Sequence, residues 1–146
     1  MAKVVIDANV IISSAFGGKP LEAVIRAIGK HEVYISQSVK KELEGVIIKL
    51  SKKLSEEQLA FVREKFGELL GMAKLVSIST HVAMSRDAKD DHYLSLCKKA
   101  GADILITGDK DLLVISPESL KKNGVLCRII TPQEFVEGFY GRGPHH

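Results

Sequence analysis

The stretch from Arg86 to Leu113, RDAKDDHYLSLCKKAGADILITGDKDLL, constrains the fold more than any other part of the chain. Asp87 can cap a helix that carries Asp90 at its third position and Asp91 beside it. Within HYLSLCKKA, Tyr93 or Leu94, Leu96 and Cys97 fall at the three- and four-residue spacings of a single apolar face. Gly101 then stops the helix. Ile104-Leu105-Ile106 is short, apolar and β-branched at two of its three positions, which reads as a strand buried on both sides. A helix feeding such a strand predicts a parallel sheet covered by helices. Acids at the start of the helix and at Asp109, just past the strand's carboxyl end, point to a site rather than a surface.

The rest of the chain repeats this alternation. Lys3 to Ile6 reads as a first strand with Asp7 directly at its end, in the order VVIDANVII. In an open parallel sheet, ligands bind outside the carboxyl ends of the strands, so Asp7 and Asp109 meet if their strands are neighbours. Asp7 fits equally well as the N-cap of a helix from Asn9 to Ser13, and Asn9 either orients Asp7 or turns the chain. Gly17-Gly18-Lys19 is not a phosphate-binding loop, because Pro20 stands where that loop needs Ser or Thr. Pro20 opens a helix through Ile28 that Gly29 ends, and Glu32 to Ile35 is a second strand.

Ser36 caps a helix with Val39, Leu43, Val46, Ile47 and Leu50 on its apolar stripe, and Glu42 borders that stripe. Position alone favours Glu42 pairing with Lys41, Lys49 or solvent. Lys40, Lys41, Lys49, Lys52 and Lys53 make the densest basic cluster in the chain, which by itself describes a solvated face. Ser55-Glu56-Glu57-Gln58, with Ser55 and Gln58 in capping-box spacing, starts a helix that runs through Leu59, Val62, Phe66 and Leu69 to Gly71 and pairs with the preceding helix as a hairpin. Leu75 to Ile78 is a third strand and Arg128 to Ile130 the last, after short helical turns at Asp111 and at Ser116-Pro117-Glu118. Thr131-Pro132-Gln133-Glu134 caps a final helix to Tyr140. The expectation is a three-layer α/β/α fold with a central, mostly parallel sheet of about five strands, plus a helical hairpin insertion. Residues 1–140 form one domain, and residues 141–146, with the His145-His146 pair, form a flexible tail.

With 146 residues, one domain of this size buries about 68–70% of the surface its unfolded chain exposes, so no staples are required. Cys97 and Cys127 belong to no metal or redox spacing and read as buried free thiols. No run approaches a membrane span and Asp7 interrupts any signal peptide, which predicts a soluble cytoplasmic protein. The 21 basic and 18 acidic residues give a net charge of +3. Gathering four acids around a metal leaves 21 against 14, or +7, over the outside, a rim suited to a phosphodiester.

Asp7, Glu42, Asp91 and Asp109 can converge at one sheet edge. Close-packed carboxylates repel, and a divalent cation resolves the repulsion. With oxygen ligands and no partner His or Cys, Mg²⁺ or Mn²⁺ is favoured over zinc, and the implied chemistry is phosphodiester hydrolysis without a covalent intermediate. His31, His81 and His92 stay outside this set.

VVIDANVII, Glu42 after the second strand, and DDHYLSLCKKAGADILITGDKDLL together resemble a PIN domain, of the kind found in small ribonucleases and in toxins of toxin–antitoxin pairs. The resemblance runs from Lys3 to about Phe139, and the 18 positions from Asp91 to Asp109 fit the family's spacing. It implies that Asp7, Glu42, Asp91 and Asp109 are the catalytic, metal-holding acids, with Asn9, Asp90, Thr107 and Asp111 in support and Asp90 competing for Asp91's role. It further implies an endoribonuclease acting on single-stranded RNA, often as a homodimer, with an antitoxin protein where the member is a toxin. Lys19, Lys40, Lys41, Lys49 and Lys110 are the candidate RNA contacts. The alternative is a catalytically silent RNA- or protein-binding module on the same fold. An aspartyl-phosphate enzyme ranks below both, because Asn9 stands where a second aspartate belongs.

Overall fold

The computed structural model describes residues 1–78, 83–84 and 88–138. Arg86, Asp87, His81, Phe139, Tyr140 and the His145-His146 tail, each given a reading above, lie outside the described residues. Five strands, β1 (Lys3–Ile6), β2 (Glu32–Ser36), β3 (Lys74–Val76), β4 (Ile104–Ile106) and β5 (Arg128–Ile130), form one sheet in the order β3-β2-β1-β4-β5. Every pairing is parallel. β1 and β4 are central and buried, which is why both are continuous apolar runs and not alternating ones.

The connections explain the layers. After β1 come α1 (Ala8–Ser14) and α2 (Gly18–Lys30), and after β2 come α3 (Gln37–Leu50) and α4 (Glu56–Met72). Helix α5 (Ala88–Ala100) then precedes β4, α6 (Lys110–Leu113) and α7 (Pro117–Lys122) precede β5, and α8 (Pro132–Glu137) follows it. The winding advances from β1 to β3, then reverses through α5 to β4. Right-handed crossovers therefore put α1 to α4 on one face and α5 to α7 on the other. α5 packs against β1, β2, β3 and β4, whereas α2 packs against α1, α4 and α8. Arg26 locks α8 in place by donating from Nη1 to the Val136 carbonyl at 2.9 Å.

Sequence and structure differ at element ends. Helix α2 runs through Gly29 to Lys30, because Val24, Ala27 and Ile28 are buried along it and that packing offsets the roughly 1 kcal/mol that glycine costs. Strand β3 lies at Lys74–Val76 and not at Leu75–Ile78; it is an edge strand whose Leu75 is exposed, so no buried alternation fixes its bounds. α8 closes at Gly138, whose φ of 81° makes it a left-handed C-cap. Helices α3 and α4 pack together as the expected hairpin, and α4 begins with a complete Ser55–Gln58 capping box. Cys97 and Cys127 are free and buried, and burial followed by contact with Cys127 pushes the Cys97 thiol well above its ordinary range.

Candidate functional site

β1 and β4 are neighbours, and the winding reverses between them, so the crevice outside their carboxyl ends is the topological switch point of the sheet. Asp7 lies there, only 4% exposed. Its two carboxylate oxygens have different tasks. Oδ1 accepts the Asn9 amide at 2.9 Å and caps α1, while Oδ2 accepts the Thr107 hydroxyl at 2.8 Å. The N-cap role open to Asp7 from sequence is thus filled by one of its oxygens. The Asp7 amide also donates to the Ile106 carbonyl, which extends the β1–β4 ladder and fixes where the carboxylate emerges.

Thr107 is fully buried and its Oγ1 accepts the Asp109 amide at 3.0 Å. Asp109 in turn caps α6 by accepting the Asp111 amide on Oδ1 at 2.8 Å. Asp90 comes from the first turn of α5, where the helix dipole favours negative charge. Asp90, Asp109 and Asp111 each offer a carboxylate oxygen, and these oxygens lie within 4.8 Å of one another. Asp90 is buried, Asp109 half-buried and Asp111 exposed, so the group opens outward from the sheet edge.

The other predicted residues lie outside this group. Asp91 accepts the Met84 amide on Oδ1 at 2.8 Å, tying α5 to the segment before it. Glu42 reaches the same end of α5, with its Oε1 3.9 Å from Lys89 Nζ. Asn9 is exposed at the start of α1. Of the candidate basic contacts, Lys19, Lys41, Lys49 and Lys110 are exposed and Lys40 is half-buried. Lys19 and Lys110 flank the site in sequence next to Pro20 and Asp109, whereas Lys40, Lys41 and Lys49 ride on α3. His92 Nε2 lies 2.7 Å from Ser36 Oγ and 3.2 Å from Ser38 Oγ, which fastens it to the start of α3.

Tyr93 is the residue the sequence undervalues. It was legible only as part of an apolar face, yet its hydroxyl accepts the Ala8 amide at 2.8 Å, in the first turn of α1. Burial pushes its phenol far above the ordinary range, and the negative charges of Asp7 and Glu42 push it the same way. Tyr93 therefore stays a neutral phenol that holds the backbone beside Asp7. The available signal was the residue type, since a buried tyrosine requires a partner for its hydroxyl.

A cleft of about 330 Å³ adjoins the acids. Asp7, Asn9, Gly108 and Asp109 line it together with Val10, Ser13, Pro20 and Pro132. Among the described residues the donor set suits a hard divalent cation: each candidate ligand is a carboxylate oxygen, and the cluster contains no Cys or His. Among the described residues no helix is long and apolar enough to cross a membrane.

A family model described as PIN domain matches residues 3–111. No curated protein matches the chain significantly. The matched region begins with β1 and ends at Asp111, and so spans Asp7, Glu42, Asp90, Asp91, Thr107, Asp109 and Asp111.

Proposed function

The chain belongs to the PIN domain family, and from that premise we propose that it is a metal-dependent endoribonuclease hydrolysing phosphodiester bonds in single-stranded RNA. The family carries a nuclease-type fold. The observation that carries the reading to this chain is the convergence of Asp90, Asp109 and Asp111, with Asp7 joined to Asp109 through Thr107. Asp90, Asp109 and Asp111 would hold Mg²⁺ or Mn²⁺, with Asp7 alongside and Glu42 at the same end of α5. When bound, such an ion lowers the pKa of water and neutralises charge on the phosphoryl oxygens.

The protein's own residues supply position. Thr107 fixes Asp7 and Asp109 relative to each other, and Tyr93 fixes the backbone that follows Asp7. Asp91 acts on the segment at Met84 and Asp90 on the cluster, so we assign the ligand role to Asp90. The reading extends to a cytoplasmic toxin that acts as a homodimer and is held by an antitoxin protein, on the strength of the family resemblance.

Incubating the purified chain with single-stranded RNA, with Mn²⁺ or Mg²⁺ and then with EDTA, tests the activity. Cleavage is expected with metal and none with chelator. Cleavage that survives both EDTA and Asp7→Asn would sink the reading. RNA affinity that persists in EDTA, falls steeply with salt and leads to no cleavage with metal would favour the silent binding module. Sedimentation of the free chain, and co-purification with the product of an adjacent small gene, test the homodimer and the antitoxin.

A further inference from the structure

The lining of the cleft beside the acids is chemically mixed, and the nuclease reading uses only its carboxylates. Asp7 and Asp109 suit a phosphate with a cation. Beside them stand Val10, Pro20 and Pro132, which offer no charge and no hydrogen-bond donor from their side chains, and Ser13 with one hydroxyl. The cleft's volume of about 330 Å³ is at the small end of the roughly 300–1,000 Å³ typical of small-molecule sites. That is room for a part of a nucleotide and not for a duplex.

Phe16, 64% exposed, lies close in sequence to two of the residues that line the cleft. Single exposed apolar side chains are ordinary on protein surfaces, so exposure alone means little. Its location is what matters. Phe16 lies in the turn between α1 and α2, bracketed in sequence by the cleft residues Ser13 and Pro20, and its amide donates to the Ser13 carbonyl at 3.0 Å. Gly17 and Gly18 follow with φ of 86° and 73°, a pair of left-handed residues that folds this turn back into α2. Phe61, another exposed phenylalanine, has Lys65 Nζ over its ring at 5.6 Å, on α4 of the helical hairpin. Lys19 and Lys110 stand next in sequence to Pro20 and Asp109, with the Lys19 ammonium 3.3 Å from Glu22 Oε2.

We propose that the apolar lining of the cleft, with the neighbouring Phe16, is a nucleobase subsite: an unpaired base beside the scissile phosphate packs on Val10, Pro20 and Pro132 and stacks on Phe16. The proposal rests on the nuclease reading and deepens it by making an extruded, single-stranded base part of what the site recognises. Every base has a π-face, so the subsite requires a base and tolerates its identity. A paired base is already stacked in its duplex and is excluded.

The test uses the full chain and a single-stranded RNA oligonucleotide cut at one place, with abasic versions on either side of the cut. With Mn²⁺, one abasic version should raise KM by roughly 5- to 150-fold, the span of one lost stacking contact. Phe16→Ala should raise KM for the intact oligonucleotide in the same way and leave the abasic one unchanged. The chain has no tryptophan, so Phe16→Trp adds a single reporter whose fluorescence the intact oligonucleotide should quench and the abasic one should not. Equal cleavage of intact and abasic oligonucleotides by the unsubstituted protein overturns the subsite and leaves the nuclease reading standing. So does absent quenching in a Phe16→Trp protein that still cuts. No cleavage of either oligonucleotide with any divalent metal overturns both.

Discussion

Thr107 donates its hydroxyl hydrogen to Asp7 Oδ2 across 2.8 Å, and so joins the carboxyl ends of two neighbouring strands through side chains as well as through the sheet ladder. Because the same oxygen accepts the Asp109 amide, one buried side chain orients acids that lie 102 positions apart, from Asp7 to Asp109. Thr107→Val keeps the shape and removes both bonds. It leaves a buried carboxylate oxygen and a backbone amide short of a partner, at a cost of about 1–3 kcal/mol for each group left unsatisfied. Mn²⁺ affinity should fall by roughly 10–100-fold, as it does when groups that orient ligands are removed. Thr107→Ser should restore most of both. Denaturant unfolding and calorimetric Mn²⁺ titration read the two effects separately, and a Thr107→Val protein with unaltered metal affinity would remove Thr107 from the site.

Asp90 and Asp91 are adjacent, and their isosteric substitutions should have different consequences. Asp90→Asn removes a charge from the carboxylate group that converges with Asp109 and Asp111, so metal-dependent cleavage should fall by about 100-fold or more. Asp91→Asn retains an oxygen able to accept the Met84 amide, so it should weaken that contact and spare metal binding. Mn²⁺ titration of each variant, beside its cleavage rate, decides the assignment. Equal loss of metal binding in both would show that the two acids act as one unit.

The sequence makes Asp7 and Asp109 readable because each stands directly after a short apolar run, and a strand buried on both faces has few ways to end. The choice between Asp90 and Asp91 depends on helical phase instead. Asp90 shares a stripe with Tyr93, Leu94 and Cys97, all buried, whereas Asp91 shares one with Leu94, Ser95 and the exposed Lys98. That seven-residue partner is the signal that separates them, and it emerges only once the core face is known. The edge of β3 was illegible for a related reason, since Leu75 faces water and leaves no pattern. The cleft is a different matter. Val10, Pro20 and Pro132 come from three separate helices, and no local pattern in the chain brings them together.

Tyr93 offers a test of the support behind Asp7. In the folded chain burial, then the charges of Asp7 and Glu42, raise the phenol above its ordinary value of 10.0. The unfolded chain therefore loses its proton first as pH rises. Stability from this group is complete below about pH 10 and declines above it as the unfolded phenolate becomes favoured. Tyr93→Phe should remove this alkaline decline and, at neutral pH, cost about 1–3 kcal/mol by leaving the Ala8 amide without its acceptor. Unfolding free energies at pH 7 and in the alkaline range provide both readings. An alkaline loss of the same size in both proteins would mean that Tyr93 is not its source.

His31 governs the acid side, away from the cleft. Its Nδ1 accepts the Ala2 amide at 3.0 Å, and its ring meets Phe135 of α8 edge-on with centroids 5.6 Å apart. An accepting Nδ1 cannot carry a proton, so the bond exists only for the neutral ring. Burial lowers the His31 pKa below 6.5, and the positive N-terminus, Lys30 and Arg26 lower it further. As pH falls, the unfolded chain gains its proton near pH 6.5 while the folded chain resists, so stability present above that pH is lost as pH drops through the folded value. Urea unfolding at pH 7.5 and pH 5 should show a larger loss for the natural protein than for His31→Gln, whose amide oxygen can still accept the Ala2 amide without titrating. Equal losses would assign the acid dependence to other groups. Because the His31 and Phe135 contact lies at the β1 entrance and the acids at the β1 exit, metal affinity at pH 7.5 should be the same in both proteins.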